Sequence, residues 1–479
     1  MEFIRKSYII FILAIIYINP AFSQDFTYDR KIGAEAANEV EQMIGVYPDS
    51  ALTAYVNLVG QRLVNALGDS PVEFNFHVVD MAEPNAFALP GGYIYVSRGL
   101  LCLINDEAEL ACVMGHEMIH VTKRHSVKQI KKSIIPGILH IPGAVVGMFN
   151  SNLGKIINAP VSIGTELFLS NYSHKQESEA DKYGVKLAAE AGYDPNKLAI
   201  ILERLSGDVE LLTGEAEKKS YFASHPYTPK RVENIEKEIP GLELSQKQYI
   251  AEDKNVLYGH LDGMVYGPNP AQGIFDSNIF RHPDLNLAIN FPDKWNTVNV
   301  PVAVGAAQPD GEGQFFFIVD NTNATPDSLG KAYAEQLEKK FNILPKENSE
   351  LDINGFPSWM VSVNDDSGDQ PINVLVYWID VGDVLLNVMG VSYPKHAATI
   401  ANAIISTRPL TDDEKQNITG LFLRPASILK NENFSSFSTR TNNTWDEKTT
   451  LLKNGLEADL PLVEGQVLKI AVKEQYFSF

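Results

Sequence analysis

The run His116-Glu117-Met118-Ile119-His120 constrains this chain more than any other five residues. On a helix, four residues turn the backbone by about 400°, so His116 and His120 stand one above the other on one face. Two imidazoles stacked in this way can grip one Zn²⁺ at roughly 2.0–2.1 Å each. Glu117 lies about 100° further round, beside the ion, where its carboxylate can take a proton from a metal-activated water. Ala111, Cys112, Val113 and Met114 precede the motif, and Gly115 allows another backbone to come close, so the stretch reads as a buried helix. A catalytic zinc site needs a third protein ligand brought from elsewhere and a fourth position left open.

The segment Gln176-Glu177-Ser178-Glu179-Ala180-Asp181 offers that ligand. Glu177 and Asp181 are four apart and share a helix face, so Glu177 can reach the metal while Asp181 accepts the second ring N–H of a ligand histidine. Spacing alone leaves Glu179 as a weaker alternative that points elsewhere and reads as solvated. His125 falls about 500° beyond His120 on a continuing helix and so leaves the ligand face. It reads as a helix-end histidine.

Around these motifs the pattern from Phe26 to about Pro240 is mainly helical. Lys31–Val46 and Ala51–Leu67 carry apolar residues at three- and four-residue spacing, with Pro48-Asp49-Ser50 as break and cap. Val72–Val79 alternates like a strand, and Ala86–Val96 reads as a strand pair or kinked edge strand around Pro90-Gly91-Gly92. Asn105-Asp106 caps a long helix that runs to about His125, and Glu177–Gly192 is a second. The turn-rich Tyr266–Gly273 marks a boundary, after which strands and a few helices without regular alternation suggest a second, α+β unit. Asn431–Asn443, rich in Ser, Asn and Thr, reads as a linker or extended loop. The expected architecture is thus α+β: a mainly helical domain with a small sheet over 24–265, an accessory domain over 266–415, and a linker with a small module over 416–479.

The opening 23 residues have the layout of a cleavable secretory signal, with Arg5 and Lys6, the apolar Tyr8–Ile18 and a small-residue exit at Ala21-Phe22-Ser23. The apolar core is shorter than the roughly 20 residues of a spanning helix. Ile134–Phe149 and Leu153–Leu169 are also apolar but short and broken, and read as helices packed over a cleft, a lid, with no stable span expected in the mature chain. Forty Lys+Arg against sixty Asp+Glu leave a net charge of −20, which argues against nucleic acid as a partner. Two cysteines cannot form a disulfide framework, and Cys112 reads as a buried thiol.

The chain resembles the Ste24/HtpX-like zinc metallopeptidases, peptidase family M48, in its exported soluble form with C-terminal accessory domains. The residues that carry the resemblance run in order: Asn85-Ala86-Phe87-Ala88-Leu89-Pro90-Gly91-Gly92, Glu109-Leu110-Ala111 ahead of the histidine motif, Glu177-x-x-Ala180-Asp181, Ala191-Gly192-Tyr193-Asp194-Pro195, and Ser224-His225-Pro226 with Arg231. One departure is Ser173-His174, where the family usually has Ser-Arg. The resemblance implies a zincin-like fold, one Zn²⁺ per chain held by His116, His120 and Glu177, and Glu117 as general base and acid. It implies that the strand Gly92-Tyr93-Ile94-Tyr95-Val96 pairs with an extended substrate. It also implies that His225 lies over the zinc as oxyanion donor or gate; the simpler reading is a turn histidine, with Arg231 pairing to a helix carboxylate. The terminal module faintly resembles a LysM-type carbohydrate-binding module, which would bring glycan contact; a simple β-structured tail is the preferred reading. The function expected is an exported endopeptidase, periplasmic, envelope-associated or secreted, acting on unfolded or extended envelope proteins. The alternative is a chaperone-like client-binding protein whose metal site is blocked or gated by His225.

Overall fold

The computed structural model describes residues 26–130, 172–211, 221–242, 254–320, 322–366, 368, 370–457 and 461–477. The leader expected over 1–23 and the apolar stretches within 134–169 lie outside the described residues. The first two helices, Thr27–Ile44 and Ser50–Leu67, are separated by Gly45 and by the Asp49 side chain, which caps the second by accepting from Leu52 N–H. The histidine-motif helix spans Glu107–Thr122. Asp106 accepts from the Glu109 N–H at 2.9 Å, and Glu107 and Glu109 place negative charge on the first turn, where the helix dipole favours it. From Ala108 to Val121 every residue is buried, so this helix runs through the middle of the domain instead of along its surface.

The second ligand helix, His174–Glu190, starts with a capping box in which Ser173 and Gln176 satisfy each other's backbone N–H. It crosses the histidine-motif helix with two glycines at the contact. A Cβ at Gly184 would lie 3.0 Å from both Cα and N of His116. The bare backbone at Gly184 therefore sets how near the two sets of ligands come.

Three short strands complete the domain: β1 (Asn75–Val79), β2 (Ala86–Leu89) and β3 (Tyr93–Ser97), in the order β1-β3-β2. β3 pairs parallel with β1 and antiparallel with β2, in register Asn75↔Tyr93 and Leu89↔Tyr93. The expectation of a free edge along Gly92–Val96 is therefore corrected, because both backbone sides of this strand are taken. Gly91 and Gly92, with φ of 83° and 104°, fold β2 back as a hairpin partner, and Gly92 O already accepts from Asn75 N–H. Ile94 and Val96 are core residues, while Tyr95 stacks on Phe87 and His77 and donates to Glu41. The edge strand beside the histidine-motif helix is β2.

Beyond residue 273 lies a four-stranded sheet and an antiparallel seven-stranded sheet. Alternate residues of the strand Ile372–Asp380 face two separate cores, with Tyr377 and Ile379 in one and Val374, Val376 and Trp378 in the other. One core takes the helix Pro394–Ile405 through Ile400 and Ile404, and the other takes Pro326–Phe341 through Ala334 and Leu337. The chain is α+β, with a mainly helical domain followed by this sheet-rich region.

The terminal module runs strand, helix, helix, strand: Thr419–Ser427, Phe434–Thr441, Glu447–Lys453 and Val467–Gln475. The Asn431–Asn443 stretch is thus no linker. Its polar residues are caps, with Asn433 in a capping box at the helix start and Asn442 in the left-handed conformation at its end. Nor is the module separate from the first domain. Val265–Tyr266 joins its sheet, and Leu423, Trp445 and Ala471 share the core of the histidine-motif helix. Lys453 pairs with Asp208 at 2.6 Å inside that contact.

Lys469 is the deepest link. Its Nζ donates to Cys102 O at 2.8 Å and to Ile104 O, while Arg204 donates to Leu103 O at 2.9 Å. Two cations thus cap the end of the helix Arg98–Leu103, which leads directly into the histidine-motif helix. Burial, with Arg204 nearby, pushes the Lys469 ammonium down to about 7, against roughly 10.4 in an unfolded chain. Unfolding therefore takes up a proton between those values, and stability rises with pH across that window. Lys469→Met is expected to lower stability near pH 7 by about 2–4 kcal/mol, since two buried carbonyls lose their donor, and to flatten the rise. Thermal melts of both proteins from pH 7 to about 10 check this, and parallel curves would contradict it.

Candidate metal centre

Four donors from three segments meet in the interior. His116 Nε2 and His120 Nε2 are 3.0 Å apart. Glu177 Oε1 lies 3.3 Å from His120 Nε2, and Glu177 Oε2 lies 3.7 Å from His116 Nε2. His225 completes the set, with Nδ1 3.2 Å from Glu177 Oε1, and one ligand atom from each of the four falls within 4.8 Å of the others. A tetrahedral zinc with ligands at 2.0–2.1 Å holds neighbouring donors about 3.3 Å apart, so this spacing fits the ion. All four side chains are fully buried. A group of this composition, closed off from water, is costly unless something pulls its lone pairs together. The residues fit a divalent cation of zinc's size and ligand preference.

The directions for His120 and Glu177 agree with that use, while that for His116 favours a proton that a metal would have to displace. Burial drives the His120 imidazole well below its usual range, which leaves it neutral with a lone pair to give. His116 is raised, because Asp181 and Glu177 outweigh its burial. Burial alone would lift the Glu177 carboxyl, but the facing His225 and His120 hold it well below the usual carboxylate range. Glu117 is raised by burial, which moves it toward the range where a carboxylate accepts and returns a proton at neutral pH. Neither of its oxygens has a hydrogen-bond partner among the described residues, and His225 Nε2 is 3.5 Å from Oε1.

The support around the donors is specific. Asp181 Oδ1 sits 3.0 Å from His116 Nδ1, as its place four residues after Glu177 suggests. Arg231 donates from Nε and Nη2 to the two Asp181 oxygens at 2.8 and 2.7 Å, and its Nη1 lies 2.7 Å from Glu177 Oε2. Nη1 also reaches the His225 and Pro226 carbonyls at 3.4 and 3.3 Å. His225 ends the turn Tyr221–Ser224, with its N–H donating to Tyr221 O.

Two aromatic residues were not singled out in the sequence. Tyr221 stacks on His225 with ring centroids 4.4 Å apart and planes 7° off parallel, and Tyr172 lies over His120 at 3.7 Å. Helical spacing of Tyr221 from His225 was the available signal for the first; Tyr172, just ahead of the Ser173 cap, offered none. His125 does not continue the histidine-motif helix. The helix ends at Thr122, Arg124 takes a left-handed φ of 54°, and His125 turns back until its Nδ1 is 3.0 Å from His120 Nδ1. Glu179, expected in solvent, reaches His125 Nε2 at 3.4 Å and Lys123 at 3.5 Å.

Comparison with known proteins places this arrangement. Peptidase family M48 matches residues 50–239. The mitochondrial metalloendopeptidase OMA1 of Schizosaccharomyces pombe is 30% identical over 227 residues, 46% of this chain and 64% of that protein. The β-barrel assembly-enhancing protease of Escherichia coli is 31% identical over 173 residues, 35% of this chain and 36% of that protein. The metalloprotease LoiP of Escherichia coli is 27% identical over 216 residues, 45% of this chain and 82% of that protein. The chain thus covers less than two thirds of the first two relatives' lengths, 64% and 36%. Every donor described above lies within the matched segment. Across residues 50–239, the chain matches the model of peptidase family M48.

Proposed function

We propose that the chain is a zinc-dependent endopeptidase that hydrolyses peptide bonds in unfolded or extended protein segments, with His116, His120 and Glu177 as metal ligands and Glu117 as general base and acid. The observation that carries this reading is the Glu117 carboxylate buried against the convergent donors, with no hydrogen-bond partner among the described residues. A client-binding protein has no use for such a group.

A bound zinc supplies Lewis acidity, polarising the scissile carbonyl and making a water acidic enough to lose its proton near neutral pH. Glu117 takes that proton and later returns it to the leaving amine. Asp181 and Arg231 keep His116 and Glu177 in place, so the chemistry needs no rearrangement of ligands. β2, an edge strand of this sheet among the described residues and near the histidine-motif helix, is the strand we assign to pairing with an extended substrate. The leader-like first 23 residues support export to a periplasmic or envelope setting. The relative named for enhancing β-barrel assembly supports clients met before they have folded. No helix among the described residues is long and apolar enough to cross a membrane.

A second element of the reading concerns His225. It stands where a substrate carbonyl would approach the ion, and the whole donor set is 0% exposed. This burial supports reading the described form as closed, with His225 as gate. The same closure underlies the alternative of a client-binding protein whose metal site is blocked.

With unfolded casein as substrate, wild type is expected to cleave, a chelator to stop cleavage and zinc to restore it. Glu117→Gln is expected to bind one zinc per chain by metal analysis yet lose about 10²–10⁴-fold in rate. Cleavage that survives both chelation and Glu117→Gln would remove the peptidase assignment, and client binding without any cleavage would favour the alternative. For His225→Ala a gate predicts a several-fold gain in rate. A loss of about 10²-fold or more would instead make His225 an oxyanion donor.

A further inference from the structure

The histidine-motif helix should carry His125 away from the site, yet the chain spends a strained residue to bring it back. Arg124 sits at φ 54°, a conformation costing about 1–2 kcal/mol for a residue with a Cβ. That kink is pinned from outside. The Arg124 guanidinium donates from Nε and Nη2 to the two oxygens of buried Asp29 at 2.7 and 2.5 Å, and lies over the Phe26 ring. Strain held this firmly calls for a purpose at the residue it places.

The residue it places is His125, which is 1% exposed, with Nδ1 3.0 Å from Nδ1 of His120. Two imidazole nitrogens this close form a hydrogen bond only when one carries the proton and the other the lone pair. His120 turns Nε2 toward the other donors, so a metal takes that lone pair and the proton must reside on Nδ1. His125 Nδ1 then accepts, and its own proton lies on Nε2, which faces Glu179 Oε2 at 3.4 Å. Glu179 is 34% exposed and also faces Lys123. Gln176 adds a hold from the same helix, donating to His125 O at 3.4 Å.

Each step has one allowed direction, from His120 through His125 to Glu179. We infer that His125 and Glu179 are positioning residues for the metal centre, fixing the tautomer and ring angle of His120 as Asp181 does for His116. This deepens the metal reading above and rests on it. Each of the two imidazoles is then held by its own partner, one buried and salt-bridged, the other relayed to the surface.

Zinc affinity of the full chain, measured by competition with a chromophoric chelator, tests the inference for wild type, His125→Ala, His125→Gln and Glu179→Gln. His125→Ala is expected to weaken zinc binding about 10–100-fold. His125→Gln, whose amide oxygen can still accept from His120, should recover most of that loss. Glu179→Gln changes a surface carboxylate, so the metal-free protein should melt as wild type does while zinc binding weakens a few-fold. Imidazole ¹⁵N shifts of zinc-loaded wild type should show the His125 proton on Nε2. Equal weakening in the Ala and Gln variants would reduce His125 to a packing residue and overturn the inference. So would Glu179→Gln with wild-type affinity, which decides the matter even should His125→Ala not fold. Wild type that takes up no zinc would overturn the metal reading itself, a result distinct from either.

Discussion

One guanidinium holds the centre together. Arg231 meets both oxygens of Asp181 and one of Glu177, and its remaining reach is spent on the carbonyls of the His225-Pro226 turn. Two buried carboxylates on one helix face repel each other, and an uncompensated one in the interior is worth several kcal/mol of destabilisation. Arg231 relieves both at once, and its planar fork does so in a fixed geometry that lysine could not supply. Glu177, Asp181 beside His116, and the His225-Pro226 turn therefore share a single support. Displacing the loop and loosening the ligand are linked events, because the same side chain bridges them.

Much of this was readable from the sequence wherever the determining contacts lie along one helix. His116 with His120, and Glu177 with Asp181, are four-residue pairs, and a helix alone puts each pair on a common face. The structure brings these four together, with Glu117 beside them. The sequence reading failed where a single backbone angle or a distant strand decides. His125 was extrapolated along a helix that stops three residues earlier, at a left-handed Arg124 that no local pattern announces. Gly92–Val96 reads as an open edge because the strand is visible in sequence and its two partners' positions are not. The Ser-, Asn- and Thr-rich 431–443 stretch illustrates the same limit in reverse, since residues that favour loops also favour helix caps.

The relatedness to M48 proteins ends well before the sheet-rich region, and the structure shows why the remainder is still no loose appendage. The two-stranded module closes over the start of the histidine-motif helix with Lys453 and Lys469, each nearly buried and each meeting a specific oxygen. Buried lysines are poor sources of net stability but strict about their surroundings, so they fix one docking arrangement and disfavour others.

The Lys469 contact also orders events in time. Its partner carbonyls, at Cys102 and Ile104, lie more than 360 positions earlier in the chain. A ribosome or a translocation channel delivers the histidine-motif helix long before the strand that caps its approach. The packing around these carbonyls is thus completed only after the accessory sheets have been made, long after the residues of the candidate metal centre have been delivered.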